Sequence, residues 1–311
     1  RSRGAADPRA AAALAAECEA AIVVVGLTPA DEGEHLAALD REAIAALGGF
    51  ARTRAGGWLI GTLLRWAAAR AVAGGDRRDL HLSADDCALI TAVAAVQPRT
   101  VVVVIGGGTI MLDPWDAEVA AILLAWYPGM AGGHALADVL AGECEPTGRL
   151  PFAIPRQRSD LPVLDWTADT VTYPSRCGQQ LLDEQGTPAA YPFGFGCGYG
   201  DVTVSDLTVT RTSALTLSAR MTVQCTGPLA TRSVIGLYLT TPTMPQWRLC
   251  GFTSVDRLAP GTGMTVEIAG RLAPLARWQD GGWVAPASEI TVHAARWSGD
   301  PAAPQALCPP R

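Results

Sequence analysis

An α/β layer with a mostly parallel sheet, followed by an all-β sandwich, is the fold class this sequence predicts. Continuous apolar, β-branched runs alternate with helical patterns in the first half. Pro, Gly, Gln and Asp then break all periodicity between residues 155 and 192. After Gly200 the chain turns into short Thr/Val-rich runs separated by Gly/Pro turns. Strand–helix alternation implies a parallel sheet covered by helices, and a series of short strands implies a sandwich.

In chain order, residues 8–20 are Ala-rich with helical spacing, and Ala21–Gly26 is an apolar run ending in Gly, as expected of a strand buried on both faces. A helix is expected over Ser83–Gln97, with Ser83 as its cap and Asp85-Asp86 at its positive start, and Pro98 stops it. Thr100–Ile105 gives a second buried strand, ending at Gly106-Gly107-Gly108. Residues 117–120 read as helix-like, Ala121–Trp126 as a third strand and His134–Leu140 as a short helix. In the second half, strands are expected at Val202–Val209, Leu215–Gln224, Val234–Thr240, Met264–Ala269 and Ile290–Ala294, making a small sandwich of immunoglobulin or fibronectin type. The domain boundaries expected are 1–157 for the α/β part, 158–196 for a connecting loop and 197–311 for the sandwich.

The 311 residues are 49% hydrophobic and 17% charged, a globular composition rather than a disordered one. A formal charge of −6 argues against nucleic acid, and the basic clusters Arg52-Thr53-Arg54 and Arg77-Arg78 are too short to track a phosphate backbone. The eight cysteines form no CxxC pair, so metal ligation is not expected and they read as small buried hydrophobes. The most apolar stretch, Trp58–Ala73, contains Arg65 and Arg70 and is too short to span a bilayer. Arg1-Ser2-Arg3 opens no secretory signal, which sets a cytoplasmic location as the expectation.

Chemistry has few places to sit. The segment GGGTIM lacks GxGxxG spacing and no GK[ST] follows a glycine turn, so no nucleotide cofactor is expected; a strand-end turn that lets backbone pack closely accounts for the triplet. Asp31-Glu32-Gly33-Glu34 lies just past the first buried strand, where parallel sheets place ligands. Crowded carboxylates raise one another's pKa, as a general acid requires, although a solvated acidic loop explains the same residues. His35 and Ser83 have no nucleophile elbow to complete a triad.

Several stretches in order resemble glycoside hydrolase family 3. They are Ile22–Gly26 with Asp31-Glu32-Gly33-Glu34, then Gly75–Leu82 with Leu89-Ile90, then Pro98–Val104 with Pro114-Trp115. Ala125–Gly133, Ala137–Gly142, Pro146–Pro151, Pro192–Gly196, Gly251-Phe252 and Leu258–Gly261 continue the match. The resemblance implies a retaining β-glucosidase-like enzyme of three parts: a barrel, an α/β sandwich domain and a fibronectin type III-like domain. It places Glu32 on the acid/base position, with Glu34 as second candidate and Asp31 beside the substrate. The substrate is a β-glucoside or related carbohydrate, no cofactor is involved, and the nucleophile comes from a barrel supplied in cis or in trans. The alternative is a non-catalytic carbohydrate-binding or degenerate accessory module.

Compared with the family, the barrel and the first strands of the α/β domain are not found in this sequence; if the domain lacks those strands, a sheet with an open edge or an uncovered apolar face is expected. The sequence also inserts about 40 residues between Glu32 and Asp76 and carries Cys197-Gly198 where the family has Leu-Ser. Asp165-Trp166 resembles the family's nucleophile motif but lies in the loop and is assigned no role. Trp115, Trp126 and the Gly132-Gly133 turn are read as structural.

Overall fold

The computed structural model describes residues 7–28, 31, 77, 79–163, 165, 168–285 and 288–309. They fall into two compact units, Arg1–Gly129 and Met130–Arg311.

The first unit is built on a three-stranded parallel sheet, β1 (Ala21–Gly26), β2 (Thr100–Ile105) and β3 (Ala121–Trp126), in that spatial order. Register runs from Ala21 opposite Thr100 to Gly26 opposite Ile105, so β1 and β2 end level. Helix α1 (Pro8–Ala16) starts at Asp7, whose carboxylate caps Arg9 N, and it packs on α2 (Ala84–Ala94). Ser83 caps α2 as expected: its Oγ accepts from Asp86 N at 3.1 Å and donates to the Asp86 carboxylate at 2.7 Å. Buried Gln97 donates to the Ala15 and Cys18 carbonyls, fastening the end of α1. The unpaired carbonyls of a helix end need such a partner.

Val102, Val103 and Val104 of the central strand are fully buried, as the apolar run predicts. The same expectation is corrected for β1. Val23 and Val25 are buried, but Ile22 and Val24 are 55% and 59% exposed, because β1 lies at the sheet edge with α1 and α2 on one side. A 3₁₀ turn, Asp116–Glu118, replaces the helix expected at 117–120. Trp115 is completely buried, a core residue as anticipated.

In the second unit α3 (Gly132–Leu140) leads to a sandwich of two antiparallel sheets. One has the order β4 (Val202–Arg211), β5 (Thr216–Cys225), β8 (Gly263–Arg271). The other has the order β12 (Gln305–Leu307), β11 (Thr291–Ala295), β6 (Thr231–Thr241), β7 (Met244–Leu258). Alternate residues point inward, as period-2 strands must: Leu217, Ala219, Met221 and Val223 of β5 meet Ile235, Leu237 and Leu239 of β6. A small hairpin, β9 (Arg277–Gln279) and β10 (Gly282–Val284), stands apart from both sheets.

Several elements were not read from the sequence, among them α4 (Gln179–Gln185), β7, the β9–β10 hairpin and β12. The interval 155–192, expected to be loop throughout, contains α4, bounded by Gly178 and by Gly186 in the left-handed region. A helix this short takes its stability from packing, here Leu182 buried and contact with β7. The fifteen-residue β7 was hidden by Pro245 and Gly251. It is an edge strand, where proline is tolerated, and the pairing shifts between Leu237 and Tyr238 opposite Gly251 and Leu249. A Cβ on Gly251 would lie 2.5 Å from the Ala269 carbonyl of β8, so the close approach of the two strands requires glycine there.

Gly198, the departure from the family's Leu-Ser, has an equally specific reason. A Cβ there would collide with the Glu145 carboxylate. That carboxylate accepts from Tyr199 N (2.9 Å), Gly200 N (3.3 Å), Thr231 Oγ1 (2.7 Å) and Arg232 N (2.7 Å), tying residue 145 to the start of β6. Burial pushes the Glu145 pKa up, but the Thr231 hydroxyl and the backbone N–H groups outweigh it and hold the group below its ordinary 4.5. A carboxylate with a depressed native pKa stabilises the fold above its unfolded value and loses that contribution as pH falls through the native one. Melting of the wild-type chain is therefore expected to weaken below pH 4.5, and Glu145→Gln to flatten that decline. Thermal scans between neutral and acid pH check this, and superimposable profiles would rule the staple out.

Cysteine placement is also corrected. Only Cys225 and Cys308 are buried; Cys18, Cys144, Cys177 and Cys197 are exposed, and all eight are free thiols. Among the described residues no helix is long and apolar enough to cross a membrane.

Candidate functional site

The carboxyl ends of β1 and β2 are level, so whatever follows each strand meets on one edge of the sheet. Gly26 makes this possible: a Cβ there would strike the Ile105 carbonyl, which instead accepts from Leu27 N at 2.8 Å. The chain then leaves the sheet and is turned by Asp31. Its carboxylate accepts from Thr28 N (2.7 Å) and Thr28 Oγ1 (2.6 Å), reaching back three residues to the strand end.

A cleft of about 380 Å³ opens at this edge, lined by Gly26, Leu27, Asp31, Arg77, Asp79 and His81 among others. That volume is within the usual range for small-molecule sites, roughly 300–1,000 Å³. Arg77 Nη2 donates to the Thr109 carbonyl at 2.7 Å, directly after the glycine triplet. A Cβ on Gly108 would stand 3.3 Å from that nitrogen, so the triplet leaves room for a guanidinium rather than a phosphate. Gly107 likewise makes room for the ring of Tyr127, 2.7 Å from where its Cβ would be. The glycines therefore admit side chains, where the sequence predicts a close approach of backbone.

His81 is held between two carboxylates. Nδ1 lies 2.6 Å from Asp79 Oδ1 and Nε2 3.3 Å from Asp113 Oδ1. A parallel bridge to Met111 fixes the backbone of His81. The local field is negative: burial pushes the Cys87 thiol up from its ordinary 9.0, and Asp86, Asp113 and Asp79 push it further. Carboxylates, an imidazole and a guanidinium around one cleft supply acceptors and donors for a ligand rich in hydroxyls. Among the described residues no cluster of His, Cys, Asp and Glu is arranged to hold a metal.

Of the candidates from the sequence, Asp31 lines this cleft. Glu32 and Glu34 lie outside the described residues, as does His35. Asp165 is exposed in the second unit, and its neighbour Trp166 is outside the described residues. Asp79 and His81 were not singled out. Their signal was present in the segment GDRRDLHL, but only the tertiary structure shows that it shares a cleft with residue 31.

Comparison with known proteins accords with this architecture. Residues 3–199 match the glycosyl hydrolase family 3 C-terminal domain. A beta-glucosidase of Rhizobium radiobacter is 36% identical over 216 residues, which cover 64% of this chain and 26% of that protein. An exo-alpha-(1->6)-L-arabinopyranosidase of Bifidobacterium longum is 33% identical over 204 residues, 63% of this chain and 27% of that protein. The chain thus spans about a quarter of the length of these curated relatives. The crystal structure of a Bifidobacterium adolescentis GH3 beta-glucosidase superposes with a TM-score of 0.73 and 25% identity over 94% of this chain and 40% of that one. The beta-D-glucoside glucohydrolase of Trichoderma reesei gives a TM-score of 0.77 at 21% identity, a likeness of fold. With a family model matching residues 3–199 and the same layers in solved structures, the chain belongs to glycosyl hydrolase family 3, and residues 3–199 correspond to its C-terminal domain.

Proposed function

We propose that this chain supplies one wall of a retaining glycosidase active site, with Glu32 as general acid/base and a barrel domain, in cis or in trans, carrying the nucleophile. The observation that supports it most is the cleft at the end of β1. Asp31, the residue before Glu32, lines it opposite Arg77, Asp79 and His81. Asp31 is in turn bound to Thr28. Retention requires the two carboxyls about 5–5.5 Å apart on opposite sides of the anomeric carbon. An acid on a strand-end loop and a nucleophile on a facing domain meet that requirement without either unit holding both.

The relatives are named for different sugars, a beta-glucoside and an alpha-L-arabinopyranoside. Both bonds place the leaving group equatorially on a pyranose chair, so the substrate class proposed is a terminal pyranoside with an equatorial leaving group. Asp31, Arg77 and Asp79 then bind hydroxyls, and Glu34 is the second choice for the acid.

The isolated chain is expected not to form a covalent glycosyl-enzyme, because the nucleophile is assigned to the barrel. Mass spectrometry after incubation with a 2-fluoro-β-glucoside checks this. Labelling of the chain alone would overturn the division of labour, and labelling only of the barrel in the completed enzyme supports it.

A further inference from the structure

The β9–β10 hairpin has a feature that neither sandwich packing nor the proposed chemistry uses. Trp278 and Trp283 are direct cross-strand partners, so both rings rise from the same face. They are 60% and 55% exposed, with centroids 5.4 Å apart and planes at 76°. The turn between the strands is Asp280-Gly281, with φ of 48° and 79°, the two-residue loop whose twist matches a hairpin. The tryptophans occupy the second pair from that loop, where cross-strand side chains approach most closely. Their edge-to-face contact explains why so short a hairpin stays folded. It does not explain why two indoles stand in water rather than in the core.

The opposite face of the hairpin has its own surroundings. Arg277, Gln279 and Val284 form one wall of a cleft of about 350 Å³, with Thr241, Thr243 and Ser288 also lining it. The hairpin thus turns that face toward the domain and presents the two indoles to solvent.

We propose that the Trp278–Trp283 face binds the pyranose rings of an uncharged oligosaccharide. One face of a pyranose consists of C–H groups, apolar and slightly positive, and complements the negative face of an indole. The hydroxyls project from the ring edge, so they keep their water when the ring is stacked on an open platform. Size and charge argue for this occupant. Two half-exposed indoles offer on the order of 200–300 Å². A stable protein interface needs about 800 Å² on each partner, which leaves the face too small for a second copy of the chain. Arg277 and Asp280 cancel in charge, so the hairpin lacks the basic groove that a nucleic-acid strand follows. The site lies in the second unit and does not depend on the role given to Glu32.

Titration calorimetry of the full chain with cellohexaose tests it. Saturable binding is expected at millimolar concentration. The pair Trp278→Val and Trp283→Val keeps strand propensity and removes the platform; it should weaken binding about tenfold or more. Because the loss of both rings can unfold the hairpin itself, a second variant, Trp278→Phe with Trp283→Phe, keeps two aromatic faces and should retain most of the affinity. Equal affinity of the wild type and the valine variant overturns the proposal, and so does the absence of saturable binding to the wild type. A concentration-dependent dimer that the valine variant abolishes overturns it in favour of a second copy. Hydrolysis is not the readout, so none of these outcomes bears on the reading of the 31–34 loop.

Discussion

Replacing Glu32 by alanine in the barrel-completed enzyme is expected to slow hydrolysis of glycosides with poor leaving groups by about 10²–10⁴-fold, the usual contribution of general acid–base catalysis. The expectation follows from register. It rests on the resemblance of Val24–Gly33, read without a gap, to the family's strand and acid loop, which follows β1 in the chain. A general acid must stay protonated until the glycosidic oxygen takes the proton, and neighbouring carboxylates favour that state. Activated aryl glycosides, which leave with little protonation, should lose less in the first step. Azide should restore turnover of the variant, because a small anion can do the work of the base-activated water in the second step. A steady-state comparison of aryl and alkyl glucosides, with and without azide, reads all of this. If Glu34→Ala shows the pattern and Glu32→Ala does not, Glu34 is the acid. If neither does, the acid comes from elsewhere and the loop only shapes the cleft.

Truncating Leu237 to alanine is expected to destabilise the second unit by about 2–5 kcal/mol. Leu237 has no exposed surface, and its neighbours on the inner faces, Leu217, Ile235, Leu239 and Val292, are equally enclosed. Close-packed cores do not collapse fully around a deleted isobutyl group, so the cost includes a residual cavity as well as lost burial. Leu307 provides the contrast on β12 of the same sheet. It is 56% exposed, and Leu307→Ala should shift stability by no more than about 0.5 kcal/mol. Urea denaturation of both variants measures the difference. Similar midpoints for the two would mean that the strand alternation described for β6 does not define the core.

The two tryptophans of the hairpin illustrate a signal that was present and passed over. Asp280-Gly281 between aromatic residues is a strong local mark of a two-residue hairpin. Gly251 illustrates the opposite case. From the sequence it interrupts a strand, whereas in the fold it is what lets β7 lie against the Ala269 carbonyl of β8.

Local chemistry settled the elements whose cause is local. The valine runs of β1 and β2 could only be extended, and Ser83 with Asp86 could only begin a helix, because those preferences arise within a few residues. Those runs and that cap stand in the structure where the sequence put them. The order of motifs likewise pointed to the family from residues alone. Only tertiary structure decided that one face of β1 stays open, since burial depends on what lies across the sheet and not on the strand itself. It also decided that Arg77, Asp79 and His81 share a cleft with Asp31. These residues are more than forty positions from Asp31 in the sequence, and Arg77 and His81 are held by contacts with Thr109 and Met111, just past the end of β2. A hydrophobic pattern tells a strand which of its faces to bury; it carries no information about which distant loop will end beside it.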